Sequence, residues 1–85
     1  MLLSFHKQAW QDYLYWFRND RKVCKRIHEL IRDTQRNPFD GIGKPEALKN
    51  NYRGAWSRRI DKEHRMVYVV TKQALTIIQL RHHYE

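Results

Sequence analysis

Hydrophobic spacing changes twice along this chain, and each change marks a change of element. Leu2-Leu3-Ser4-Phe5 reads as a short first strand. From Gln8 the period lengthens: Trp10, Tyr13, Leu14 and Phe17 fall at i, i+3, i+4 and i+7, the stripe of an amphipathic helix. Asn19-Asp20 interrupts that stripe, and Asp20 is a good N-cap for a second helix carrying Val23, Ile27, Leu30, Ile31 and Thr34 on one side. The short break between the two predicts an αα-hairpin. Asn37-Pro38 should end the second helix, because proline disfavours the helical conformation in the residue before it.

Beyond that point the pattern shortens to strands at 54–60, 65–71 and 75–84. Their short polar connections, Asp61 to His64 and Lys72 to Ala74, suit antiparallel neighbours. Residues 38–52 contain Pro38, Gly41, Gly43 and Pro45 and are expected to form an ordered loop, pinned to the core by Phe39, Ile42 and Leu48. The resulting expectation is one α+β domain over residues 1–85, its two N-terminal helices packed on one face of a twisted antiparallel sheet.

Composition restricts the function classes. Eighty-five residues leave room for one core, and three Trp, five Tyr and three Phe supply its bulk. The single cysteine, Cys24, excludes an internal disulfide and suits a cytoplasmic setting; without a convincing His partner it reads as structural. Met1 to Phe5 is too short for a signal peptide, and no run approaches the ~18 apolar residues of a membrane span. Seventeen Lys and Arg against nine Asp and Glu leave a net charge of +8. That imbalance favours a polyanionic partner, and nucleic acid fits better than a membrane because no separate basic anchor helix exists.

The candidate chemistry lies late in the chain. Arg81-His82-His83-Tyr84-Glu85 ends a strand that begins apolar, which reads either as a frayed polar terminus or as a strand tip entering a reaction site. Alternation would put Leu75, Ile77, Gln79, Arg81 and His83 on one side. Arg59 and Arg65 flank the preceding turn. An odd, three-residue connection would set them directly opposite on one face and imply an anionic ligand, whereas an even one would separate them. Glu46, between Lys44 and Lys49, is either a neutralising carboxylate or a general base for a ribose 2′-hydroxyl. His6, His28 and His64 read as surface residues. No Cys/His/carboxylate set has zinc spacing, adjacent His82 and His83 would face opposite sides of a strand, and neither a metal nor a cofactor is expected.

Several motifs, in order, resemble the YoeB/Txe-type toxins, the ribosome-dependent messenger-RNA interferases of the RelE superfamily. They are Trp10-Gln11-Asp12-Tyr13 with Tyr15-Trp16, Asn37-Pro38-Phe39 with Gly41-Ile42-Gly43-Lys44-Pro45-Glu46, Gly54-Ala55-Trp56-Ser57-Arg58-Arg59-Ile60, Glu63-His64-Arg65-Met66-Val67-Tyr68, and terminal His83-Tyr84. The resemblance spans residues 1 to 84. It implies a RelE-like microbial RNase fold and metal-independent endonuclease cleavage of translated mRNA in the A site of the 70S ribosome. In the roles it implies, Glu46 is the general base and His83 the general acid. Arg65 holds the phosphate with help from Arg59 and Lys49, and Tyr84 positions the nucleotide or supports His83. It further implies a YefM-like antitoxin, contact with operator DNA only through that antitoxin, and a possible homodimer. Ala47 departs from the family's usual second proline, and Glu85 extends past the terminal tyrosine. Two other classes compete with this reading. One is a non-catalytic RNA- or ribosome-binding module, the other an antitoxin-binding corepressor.

Overall fold

A computed structural model describes residues 1–82. The first strand, β1 (Leu2–Phe5), leads into helices α1 (Lys7–Asn19) and α2 (Arg21–Arg36). A loop with a two-residue strand, β2 (Glu46–Ala47), and a 3-10 turn (Asn50–Tyr52) follows, then β3 (Trp56–Arg59), β4 (Arg65–Val70) and β5 (Ala74–Gln79). One five-stranded sheet results, in the order β1-β5-β4-β3-β2. β2 through β5 pair antiparallel, as the short connections require, whereas β1 adds to β5 in parallel. The sheet is therefore mixed. No tight turn joins β1 to β5, so turn lengths carried no information on the direction of β1.

The helical hairpin forms as the spacing predicts. Asp20 caps α2, its Oδ1 accepting from the amides of Lys22 at 3.1 Å and Val23 at 3.2 Å. Ile27, Leu30, Ile31 and Thr34 are buried, and Val23 packs against the same core. α1 differs from its expected orientation. Its buried residues are Ala9, Asp12 and Trp16, while Trp10 and Phe17 are exposed. At ~100° per residue the helix is turned about a third of a turn from the aromatic stripe. Trp10 and Phe17 stack on either side of Tyr13, which is half-buried against the core. Asp12 and Trp16 displaced the two exposed rings from the interior because each has a buried hydrogen-bond partner on the sheet side, described below.

The sheet carries two apolar clusters. On the helix side Ile60, Met66, Tyr68, Leu75, Ile77 and Leu80 join α1 and α2; on the other side Leu48, Ala55 and Val67 gather with Tyr52, Val69 and Ile78. A bulge explains how Leu80 reaches the helix side. Val67 pairs with Gln79 but Tyr68 with Ile77, so Ile78 is an extra residue and the alternation shifts after it. The expectation of one face running from Leu75 through Arg81 fails at that bulge, and the strand stops at Gln79 rather than continuing to residue 84.

Of the expected pins Leu48 is buried, but Phe39, its ring 4.7 Å from that of Trp56, and Ile42 are 54% and 41% exposed and do not by themselves hold the 37–45 loop. Its anchor is Arg58, whose side chain is fully buried. Arg58 Nη1 donates to Asp33 Oδ2 at 2.6 Å and to the Ile42 carbonyl at 3.1 Å; Nη2 donates to the carbonyls of Asn37 and Asp40; Nε donates to the Tyr68 hydroxyl at 3.2 Å. Tyr68 in turn donates to the Pro38 carbonyl at 2.7 Å. A loop rich in backbone carbonyls is thereby closed over a guanidinium, the side chain with enough donors in a fixed fork to satisfy several acceptors at once. Burial raises the Tyr68 phenol above its ordinary pKa. The Ile42 amide and the Arg58 guanidinium hold the Asp33 carboxyl below the usual range.

Candidate active site

Strand register assembles the site. Glu46 pairs with Ser57, Ser57 with Val67, and Val67 with Gln79, one row running from β2 to β5. Directly paired residues share a face, and Val67 belongs to the cluster away from the helices. Two positions further along, Arg59 of β3 stands directly opposite Arg65 of β4. The connection is odd, as co-facial placement needs, but has five residues, 60–64, rather than three. Glu46, Arg59 and Arg65 consequently occupy the same face at one end of the sheet. With strands ~4.8 Å apart and ~3.3 Å per residue, the Cα of Glu46 lies about 8 Å from that of Arg59 and about 12 Å from that of Arg65.

Local structure gives each group its attitude. Glu46 is exposed and, among the described residues, makes no ion pair. Gly43, at φ 79°, brings its carbonyl to the Arg59 amide at 2.7 Å and delivers the chain to β2. Arg65 Nη1 donates to the carbonyls of Asp61 at 2.8 Å and His64 at 3.1 Å, which fixes the side chain against its own hairpin. Among the described residues Nε and Nη2 of Arg65 have no hydrogen-bond acceptor and are free to bind an anion. Two guanidinium-bearing residues directly across a ladder repel each other, and an anion between them relieves that repulsion.

Lys49 lies elsewhere. It is exposed, three positions beyond Glu46 and away from the Arg59–Arg65 end, beside a recess of about 460 Å³ lined with Leu48, Asn50 and Arg53. It flanks Glu46 from the opposite side instead of joining the arginine pair.

His83 and Tyr84 lie outside the described residues. The chain that leads to them is hydrogen-bonded to β4: the His82 carbonyl accepts from the Arg65 amide at 3.2 Å. Sequence reasoning misjudged His64, which is not a free surface residue. Its side chain is 12% exposed, its ring meets Trp16 edge-on at 4.8 Å, and its Nδ1 accepts from the His82 amide at 2.7 Å. Among the described residues, Glu63, His64 and His82 place possible metal-ligand atoms within 4.8 Å of one another. With Nδ1 of His64 accepting a hydrogen bond, its proton sits on Nε2, so no lone pair faces Glu63 and the trio does not fit a metal. Cys24 is buried with Sγ 3.7 Å from His28 Nε2, closer to a histidine than expected. That nitrogen is also 2.8 Å from the Tyr13 hydroxyl, so the contact is part of the packing between the helices.

The family profile of the YoeB-like toxin of bacterial type II toxin-antitoxin systems matches residues 5–84. The chain belongs to the YoeB toxin family. Toxin YoeB of Escherichia coli (strain K12) is 54% identical over 84 residues, covering 99% of this chain and 100% of that protein. A YoeB/ParE toxin from Agrobacterium tumefaciens superimposes with a TM-score of 0.96 at 46% identity, covering 99% of this chain and 100% of that one. The toxin in a heterotetrameric YoeB–YefM toxin-antitoxin complex from Staphylococcus aureus matches with a TM-score of 0.91 at 45% identity, covering 99% of both chains. The α+β architecture, two helices on a mixed sheet, is the YoeB and RelE-like fold.

Proposed function

We propose that this toxin is a metal-independent endoribonuclease that cleaves translated mRNA in the ribosomal A site. The observation that carries the reading is the shared face of Glu46 and the Arg59–Arg65 pair, with the chain leading to His83 hydrogen-bonded to the Arg65 backbone. A phosphodiester between the carboxylate and the guanidiniums would place its ribose toward Glu46. Glu46 takes the 2′-hydroxyl proton, and the 2′-oxygen attacks the adjacent phosphorus. His83 protonates the departing 5′-oxygen, leaving a 2′,3′-cyclic phosphate. Arg65, with Arg59 beside it, stabilises the charge that grows on the phosphoryl oxygens. Lys49 contacts the neighbouring backbone and Tyr84 positions the base or supports His83.

Each proton-transfer group contributes about 10²–10⁴-fold and each electrostatic donor about 10²–10³-fold, so Arg65 and the acid–base pair matter comparably. The +8 charge supports binding to ribosomal RNA. A cytoplasmic site of action follows from that target, and no helix of the described residues is long and apolar enough to cross a membrane. The Staphylococcus aureus YoeB complexes and dimer support a YefM-like antitoxin as the regulator and self-association as a second state.

Primer extension on translated mRNA, with end-group analysis of the upstream fragment, tests the reading. Cleavage with cyclic or 3′-phosphate ends is expected from the wild type and is absent from Glu46→Ala and His83→Ala, both retaining ribosome binding. Protection of intact mRNA by the wild type would instead make the protein a binding module.

A further inference from the structure

After β5 ends, the backbone of residues 80–82 is held by side chains, and none of those side chains belongs to the proposed chemistry. The buried Asp12 carboxylate accepts from the Leu80 amide at 3.0 Å through Oδ2, and its Oδ1 accepts from Gln8 Nε2 at 2.8 Å. The Trp16 indole donates to the Leu80 carbonyl at 2.9 Å. Gln79 Nε2 donates to the Arg81 carbonyl at 2.6 Å, and the Arg81 guanidinium lies 3.7 Å from the centre of the Tyr15 ring. His64 Nδ1 accepts from the His82 amide and the Arg65 amide donates to the His82 carbonyl, with His82 itself at φ 64°. Backbone groups that leave a sheet and stay buried must find partners among side chains, other backbone or ordered water. Here Leu80 and His82 have both of theirs satisfied by fixed protein groups, and a non-glycine residue is held left-handed at the end.

We infer that His64, together with Asp12 and Trp16, forms a clamp that fixes the backbone of residues 80–82, from which the chain leads to residue 83. The clamp is built from the first helix and the β3–β4 hairpin. Through the Arg65 amide and the His82 carbonyl it ties the segment before residue 83 to Arg65, the proposed phosphate ligand. Its value to catalysis rests on the endoribonuclease reading, in which residue 83 is the general acid. The clamp itself does not. His64 is a positioning residue: its neutral Nε2–H tautomer leaves a lone pair on Nδ1 for the His82 amide, and its ring rests on Trp16. This accounts for Asp12 and Trp16 in the N-terminal motif, which the phosphoryl chemistry does not use.

The test compares His64→Asn, His64→Leu and Trp16→Phe with the wild type. Asn carries its carbonyl oxygen as many bonds from Cα as His carries Nδ1, so it can still accept from the His82 amide; Leu cannot. A misplacement of about 1 Å at a reacting group can cost about 10²-fold. His64→Leu should therefore lower kcat for ribosome-bound mRNA by about 10- to 100-fold with KM within about twofold, and His64→Asn should recover most of that loss. In parallel, amide hydrogen exchange at His82 should accelerate in His64→Leu, and wild-type ¹⁵N spectra should show His64 with an unprotonated Nδ1. Should His64→Leu not fold, Trp16→Phe, which keeps a ring and removes the indole donor, should accelerate exchange at Leu80 and His82 and lower kcat in the same way. Wild-type kcat and exchange in the folded substituted protein would overturn the clamp, as would equal impairment by Asn and Leu. If the wild type itself cleaves nothing, the endoribonuclease reading falls, and exchange at His82 still decides whether the clamp exists.

Discussion

Replacing Arg58 by methionine should be the most damaging single change outside the proposed chemistry. Methionine keeps an unbranched stem of similar length and removes the charge and every donor. The lost interactions are those to Asp33, Ile42, Asn37, Asp40 and Tyr68, made by a side chain with no exposed surface. Asp33, only 16% exposed at its side chain, is left without its guanidinium, and breaking a buried pair in this way costs about 3–5 kcal/mol. A domain of this length has a total stability of roughly 4–13 kcal/mol, at about 0.05–0.15 per residue. With an m-value of about 1–1.5 kcal/mol/M, the urea midpoint should fall by roughly 2–5 M. Urea denaturation followed by tryptophan fluorescence measures this, because Trp56 sits in β3 beside Arg58. A double-mutant cycle with Asp33→Asn should show strong coupling. A midpoint shift below about 0.5 M, or additive single effects, would refute the view that Arg58 holds the loop leading to Glu46.

Three further outcomes follow from the geometry. The Asp33 carboxyl has a lowered pKa in the folded protein, so its stabilisation is complete above the ordinary carboxylate range near ~4 and is lost as pH falls through the lower folded value. Acid titration of stability should show that limb in the wild type, and Asp33→Asn should flatten it. Gly41 stands at φ 123°, where an added Cβ would lie 2.0 Å from Asp33 Oδ2; Gly41→Ala should destabilise by about 2 kcal/mol or more in thermal denaturation, by strain and by displacing the Arg58 partner. Reversing the charge of Lys22, Lys25 and Arg32, all exposed on α2, should weaken ribosome binding and flatten its salt dependence, read from affinities at two or more ionic strengths. An unchanged slope would make that face simply solvated.

Much of the fold was legible because it depends on local rules. The Asp20 cap, the Asn37-Pro38 stop and the α2 stripe lie where capping and periodicity place them. The failures share a different cause, which is buried polar chemistry. Trp10 and Phe17 looked like part of the core face of α1, but of that stripe Tyr13 packs against the core while they stay exposed, and the interior took Asp12 and Trp16 because both bond to Leu80. Phe39 and Ile42 looked like loop anchors, but the anchor is a guanidinium that meets several carbonyls. His64 looked like surface for the same reason: its partner, the His82 amide, is 18 residues away and invisible to spacing. The Arg59–Arg65 juxtaposition could have been settled only by knowing the loop length. The bulge at Ile78 left no trace in the apolar pattern. Roles for Glu46, His83 and Tyr84 came from the motif resemblance, and register then brought Glu46 onto the face of the arginines.

The central claim is that Glu46 and His83 act on one phosphodiester held by Arg65. The most direct test maps the 3′ ends of mRNA cleaved on translating ribosomes by the wild type, Glu46→Ala and His83→Ala, and identifies their terminal groups. The account predicts 2′,3′-cyclic or 3′-phosphate ends from the wild type and loss of cleavage in both variants. Ends bearing 3′-hydroxyls, or wild-type cleavage by either variant, would contradict it.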